Sequence, residues 1–402
     1  MAWVPALGGW LVTSYAEAVA VMRDARAFTV DDARFSTARV VGPSMLSLDG
    51  PAHARHRAPF FSAFHRGGAA ARLAGFAEAE AGRLVAAIRP DGAAELRAAV
   101  TGPLAVAVVA EALGLGHLAP DTILSRYARI VGGVTGLSGD QRPGSGPEAA
   151  GEPDPDAAAA YAELAADLRA ALGRDGGPGR AGSPGAGGLP GAGSRRDSAG
   201  QPGAGSQPGA AGARTVLADA ARSGDLTADE VIPDAAVVLF GGIDTTDGMI
   251  ANTVLHLLGD PGQLEQVRVD PRLVAAAIEE SLRLEPAAAL VDRYATRDAM
   301  IGGASVRAGD RVSVSLAAAN RDPAVFREPD RFDIFRSNAS RHLAFAYGPH
   351  FCIGAALARA ETRAAVDALL PLPRLRLDPT RPAAPRGLVF RKPPALHVLW
   401  DA

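Results

Sequence analysis

A chain of 402 residues with a single cysteine, Cys352, must hold its fold by burial and hydrogen bonding alone. No intrachain disulfide framework is open to it, nor any zinc site that needs two thiolates. With 48% hydrophobic and 21% charged residues, it has the means to bury a large core and to enclose a deep cavity. The length admits one large domain or two ordinary ones. Forty-one basic residues against 44 acidic ones give a net charge of −3, which removes any global attraction to nucleic acid or anionic membranes. No apolar run approaches the ~20 residues of a bilayer-spanning helix, and the opening MAWVPALGGW lacks the basic start of a signal peptide. A cytoplasmic protein with no nucleic-acid or membrane partner is expected.

Glycine and proline are concentrated in one stretch. In 176–213 they make 19 of 38 residues, and nearly all the rest are Ala, Ser, Arg and Gln. So few apolar side chains cannot offset the ~1–2 kcal/mol per residue that ordering a backbone costs, so the stretch is predicted to be a disordered insertion. It does not divide two domains, because the motifs that follow it need apolar partners from the part that precedes it. A single catalytic domain over 1–402 is expected.

The remainder reads as mainly α with small β-sheets. The stretches 16–22, 69–88, 103–115 and 157–172 are rich in Ala, Leu, Val and Glu without internal proline, which suits helix. A long apolar helix is predicted over 234–258, interrupted by Gly241 and Gly242, with further helices at 274–284 and 355–370. Short β-prone pieces at 10–13, 311–314 and 396–400 are flanked by turn residues. Parallel α/β alternation is absent, which argues against a doubly wound sheet.

Cys352 lies between Gly348 and Gly354, just before an Ala-rich helix start. Exposed N–H groups and the dipole there favour thiolate over thiol, and a lone shielded thiolate suits one-point ligation of an iron porphyrin. A buried cysteine acting as a small hydrophobe is the ordinary alternative, and the local chemistry alone does not exclude it. The wider segment 345–359 resembles the cysteine-loop signature of the cytochrome P-450 family, F-x-x-G-x-x-x-C-x-G followed by L-A-R. Phe345, Gly348, Cys352 and Gly354 fill its defining positions. The resemblance implies the cytochrome P-450 fold, with Cys352 as the axial ligand of haem b.

Three other motifs occur in the family's order. Two helix-interior glycines, Gly241 and Gly242, cost ~1 kcal/mol each against alanine and so require a reason, such as close approach of a flat ligand. Gly241 and Thr245 share a helix face, with Asp244 one step round. An acid beside an alcohol is what proton delivery to metal-bound oxygen needs, although a helix break with solvated Asp and Thr is equally open on this motif alone. In the family the matching pair delivers protons. Glu280 and Arg283 can pair on one helix turn, usually a minor surface contact. The resemblance makes them a buried structural pair, with Arg331 in the downstream meander expected as third partner. Pro51 suits a helix start, which places His53 and Arg57 on one face able to grip a carboxylate; an exposed basic turn is the commoner outcome. In the family the residues matching His53, Arg57, Arg293 and His350 hold the haem propionates.

The resemblance covers nearly the whole chain, with an N-terminus about one helix shorter than in bacterial members. It implies a soluble monooxygenase that inserts one oxygen atom of O₂ into a small organic substrate. Asp244 and Thr245 would be catalytic; Cys352, His53, Arg57, Arg293, His350, Gly241, Phe345 and Gly354 would hold the haem. No flavin or nicotinamide fingerprint is present, so a ferredoxin with an NAD(P)H-dependent reductase is the expected electron donor, docking on the Cys352 side. Rival readings are a peroxide-driven peroxygenase, a haem-thiolate isomerase and, from another class, a non-catalytic haem-binding sensor; the Asp244–Thr245 pair argues against the first two. The pocket is expected to draw on 37–45, 237–241, 287–291 and 387–390, largely aliphatic and small. These favour an apolar, fairly bulky substrate such as a secondary metabolite.

Overall fold

The longest helix, Ala228–Gly259, organises everything around it. The computed structural model describes residues 1–66, 69–135, 154–175 and 215–402, so the Gly/Pro-rich stretch 176–213 lies outside the described residues. The helix begins six residues before the predicted 234, because Thr227 and Glu230 form a reciprocal capping box. Pro233 removes one backbone bond near the start, yet the helix runs through it. The N-terminal half, through Leu239 and Ile243, packs into a core shared with Gly50–Arg66, Gly102–Leu113, Pro120–Thr135, Pro155–Asp175 and Val216–Arg222. The C-terminal half, through Met249, Val254 and Leu258, belongs to a second core shared with Ala69–Ile88, Val274–Leu284 and Ala355–Leu369. Gly241 to Asp244 lie near where the two cores meet.

A third apolar cluster lies under a five-stranded sheet. Its order is Ala2–Val4, Gly9–Val12, Arg311–Ser315, Leu290–Ala295, Phe28–Thr29. Only the pairing of Gly9–Val12 with Arg311–Ser315 is parallel, with Trp10 opposite Val312 and Val12 opposite Val314. A three-stranded sheet joins Ala93–Glu95, His397–Leu399 and Arg376–Leu377. Mainly helical architecture with small sheets therefore matches the expectation, while the strands are shorter and more dispersed than composition alone indicates.

The helix Val274–Leu284 ties the C-terminal third together. Glu280 and Arg283 are both fully buried and pair through two bonds of 2.7 and 2.8 Å. Arg283 also donates to the carbonyls of Asn320, Pro329 and Arg331. The third charged partner is Arg336, whose Nε lies 3.0 Å from both Glu280 oxygens. This corrects the expectation of Arg331, which gives Arg283 its carbonyl while its side chain turns outward to Glu328 at 3.8 Å. Breaking a buried pair strands a charge, at ~3–5 kcal/mol, whereas an exposed arginine contributes little. Arg336→Met should therefore lower unfolding free energy by about 3 kcal/mol and Arg331→Met by no more than about 0.5 kcal/mol, read by denaturant titration.

Candidate functional site

The loop that carries Cys352 is shaped by backbone constraints. Its N–H donates to the Phe345 carbonyl at 2.9 Å, closing the loop. Ala346 and Gly348 have φ of 59° and 75°. A Cβ on Gly348 would also lie 2.6 Å from the Met22 carbonyl, so glycine is required by conformation and by contact with the helix Tyr15–Arg23. Gly354 is different: its φ is −88° and a Cβ there would come no nearer than 4.0 Å to the sulfur.

The Cys352 side chain is exposed, yet burial is the largest influence on its thiol and pushes it up. The two agree if the sulfur faces a concavity, with open surface but little bulk water. The Gly354 N–H, Arg57 and Arg359 pull the thiol down without overcoming burial. The protein alone thus does not favour the thiolate, contrary to the expectation from the helix start; a positive centre at the sulfur would.

Behind the cysteine, Phe345 is buried with the Arg359 guanidinium 4.5 Å from its ring centre. Glu279 pairs with Arg359 at 2.6 Å and approaches His342 at 3.3 Å. Burial pushes Glu279 up, but His342 and Arg359 prevail and hold its carboxyl at about 2.

Four groups from three separate parts of the sequence gather at the loop. His53 and Arg57, from Gly50–Arg66, line a cavity of about 430 Å³ with Phe61 and Pro349. The His53 and His350 rings lie 4.3 Å apart. Arg57 donates to the Phe351 carbonyl. Arg293 is 5% exposed, on a strand of the main sheet, and feels both His350 and Asp49. Asp49, which the sequence reading passes over, accepts from His350 at 2.8 Å and from Thr29 and Val30. Burial, then His350 and Arg57, drive His53 down to about 4. Its buried Nε2 has no hydrogen-bond partner within the protein, which is unusual for a native polar atom. This set of donors suits a ligand bearing carboxylates.

The glycines of the long helix have separate explanations. A Cβ on Gly242 would sit 2.9 Å from Val109 Cγ2, so this glycine serves helix packing. A Cβ on Gly241 would meet nothing within 4 Å, and this position borders open space. The Thr245 hydroxyl donates back to the Gly241 carbonyl. Asp244 pairs with Lys392 at 2.6 Å. Tyr127, buried 6.2 Å from the Phe240 ring, has its hydroxyl near Asp244 without a well-aligned hydrogen bond. Burial first, then Asp244, raises that phenol. Neither Lys392 nor Tyr127 carries any signal in the sequence around it.

Three of the segments expected to line the pocket are tied to the long helix or to one another. Asp234, fully buried, accepts from the Met45 N–H and pairs with His56 at 2.9 Å. Ala289 donates to the Val389 carbonyl, and Arg391 to that of Ala287, joining 287–291 to 387–390. Among the described residues no three His, Cys, Asp or Glu side chains converge to hold a metal ion. Cys352, the orphaned His53 nitrogen, the cationic cluster and the open face at Gly241 together fit a porphyrin with two carboxylates.

Two measurements follow from this geometry. Gly242→Ala should destabilise the protein by about 1–3 kcal/mol through overpacking, and Gly241→Ala should stabilise it by up to ~1 kcal/mol, both read by urea unfolding. Glu279, depressed in the fold, contributes stability that is present above about pH 4.5 and lost as pH falls towards 2. Glu279→Gln should flatten the stability profile over that window.

The family model described as Cytochrome P450 matches residues 210–398. "Putative cytochrome P450 140" of Mycobacterium tuberculosis is 48% identical over 145 residues, 35% of this chain and 33% of that protein. The "20-oxo-5-O-mycaminosyltylactone 23-monooxygenase" of Streptomyces fradiae is 43% identical over 182 residues, 45% of this chain and 42% of that protein. The matched stretch thus spans only 33% to 42% of the length of these relatives. Solved structures match over far more of the chain. P450BioI in complex with an acyl carrier protein bearing hexadec-9Z-enoic acid aligns with a TM-score of 0.79 at 25% identity, over 98% of this chain and 92% of that one. CalO2 gives 0.78 at 28% identity, over 98% and 91%.

Proposed function

We propose that the chain is a cytochrome P450, a haem-thiolate monooxygenase that inserts one oxygen atom of O₂ into an apolar organic substrate, a reading supported by the family model over 210–398 and by the likeness to solved structures over nearly the whole chain. The observation that carries this reading is the meeting of the Cys352 loop with a cluster of His53, Arg57, Arg293 and His350. Haem b, when bound, supplies the binding and reductive activation of O₂. Everything else falls to the chain's own side chains.

Cys352 would hold the haem iron through its sulfur, and the positive charge of a bound metal would offset the burial that otherwise raises its thiol. The His53 Nε2 and the Arg57 and Arg293 guanidinium groups would hold the carboxylates of the haem, with His350 oriented by Asp49. Gly241 leaves a side-chain-free surface on the long helix. The Thr245 hydroxyl, released from the Gly241 carbonyl, donates into that space, and Asp244 supplies the proton from its outer side. A bulky apolar secondary metabolite suits the small aliphatic segments 37–45, 237–241, 287–291 and 387–390. The relative from Streptomyces fradiae, named for its action on 20-oxo-5-O-mycaminosyltylactone, supports this class. A ferredoxin with its NAD(P)H-dependent reductase is proposed as electron donor. No helix among the described residues is long and apolar enough to cross a membrane.

The reduced, carbon monoxide-bound protein should show the red-shifted Soret band of thiolate ligation, and Cys352→His should lose it. Retention of the band by the variant would remove Cys352 as ligand, because the chain has no second cysteine to replace it. Thr245→Ala should keep that band while directing a several-fold larger share of NAD(P)H electrons into hydrogen peroxide.

A further inference from the structure

The chain contains 40 arginines and one lysine, Lys392. Its ammonium lies 2.6 Å from Asp244 Oδ1, 2.7 Å from Asp247 Oδ2 and 3.3 Å from the Asp244 carbonyl, so all three N–H donors are used. The helix makes room for it: a Cβ on Gly248 would lie 3.3 Å from both Cβ and Cδ of Lys392 and 3.0 Å from Ala287 Cβ. The two carboxylates differ in what else they hold. Asp247 also pairs with Arg97 at 2.7 Å and accepts from Thr101 at 2.5 Å. Among the described residues, Lys392 is the one ion-pair partner of Asp244.

We propose that Lys392 is the positioning residue of Asp244, fixing its carboxylate beside Thr245 and thereby setting how often protons reach the oxygen site. This rests on the reading of Asp244 as proton donor. A compact ammonium can serve two carboxylates one helical turn apart. A planar guanidinium would offer its fork to one of them and press on Gly248 and Ala287. That requirement gives a physical reason for lysine at this position in a chain that uses arginine everywhere else. The residue also sits at the root of the hairpin whose tip carries the exposed Leu388 and Val389, since Lys392 and Arg386 exchange backbone hydrogen bonds at 3.2 and 3.0 Å. The proton donor and one expected pocket wall are thus joined through one side chain.

The composition makes the test clean, because amine chemistry on this chain reads Lys392 and the N-terminus alone. Acetylation of the native holoprotein, followed by mass spectrometry, should modify Lys392 at least ~10-fold more slowly than in urea, and Asp244→Asn should shrink that protection. Equal rates in the native and unfolded protein would overturn the ion pair. Function is read as peroxide released per NAD(P)H oxidised, using ferredoxin and reductase from another source. Lys392→Met should raise that ratio at least ~2-fold with the thiolate band unchanged, and should add nothing to Asp244→Asn in a double-mutant cycle. Lys392→Arg, which keeps the charge and stands in if the methionine variant does not fold, should also raise it. A wild-type ratio in either variant, or additive effects, would overturn the proposal while Asp244→Asn still differed from wild type. A wild-type ratio in Asp244→Asn would instead remove the proton-donor reading of Asp244, and the inference with it.

Discussion

The buried pair of Glu280 and Arg283 fixes the frame on which the site depends. Charges at zero exposure are tolerable only when fully bonded, and here the bonding is spent on backbone. Arg283 takes up three carbonyls from 320, 329 and 331, and Asn320 in turn accepts the Leu343 N–H at 2.6 Å. This holds an irregular stretch that has almost no secondary structure of its own, and it leads directly into the Cys352 loop. One residue earlier on the same helix, Glu279 grips Arg359, which covers Phe345. A single helix therefore positions the cysteine from both sides of its loop.

The long helix contributes the other half of the site, and its position between two apolar cores explains the chemistry found there. Residues facing either core are aliphatic and buried, while the junction carries Gly241, Asp244 and Thr245 on a partly open face. Polar groups persist at that junction because each has a partner: Asp244 has Lys392, Thr245 has a backbone carbonyl, Asp247 has Arg97 and Thr101. The result is a rigid wall whose few titratable groups are held in place before any ligand arrives.

Much of this is readable in the sequence wherever the signal is local. The cysteine loop, the helices 69–88 and 274–284, and the glycine–threonine spacing all fall within short windows of the chain. What escapes depends on distant residues. Nothing near Arg331 or Arg336 says which turns inward; the meander's backbone path decides it. Lys392 lies 148 residues from Asp244, and Asp49 lies 301 from His350, so neither pairing leaves a local trace. The long helix starts early at the Thr227–Glu230 capping box and continues through Pro233, where breaker logic stops too soon. The cysteine's electrostatics also invert the local reading, because burial depends on the whole fold and the helix start does not.

The parallel pairing of Gly9–Val12 with Arg311–Ser315 has a consequence for synthesis. Trp10 and Val312 are opposite one another in the sheet but about 300 residues apart in the chain. At ~5–20 residues per second, the first strand leaves the ribosome roughly 15–60 s before its partner exists. Until then Trp10, Leu11 and Val12 have an unpaired edge to offer, and the hairpin formed with Ala2–Val4 covers only one side of it. The helix Tyr15–Arg23, on which the cysteine loop rests, waits through the same interval. A nascent chain of this design must keep its first strands in solution for most of its own translation.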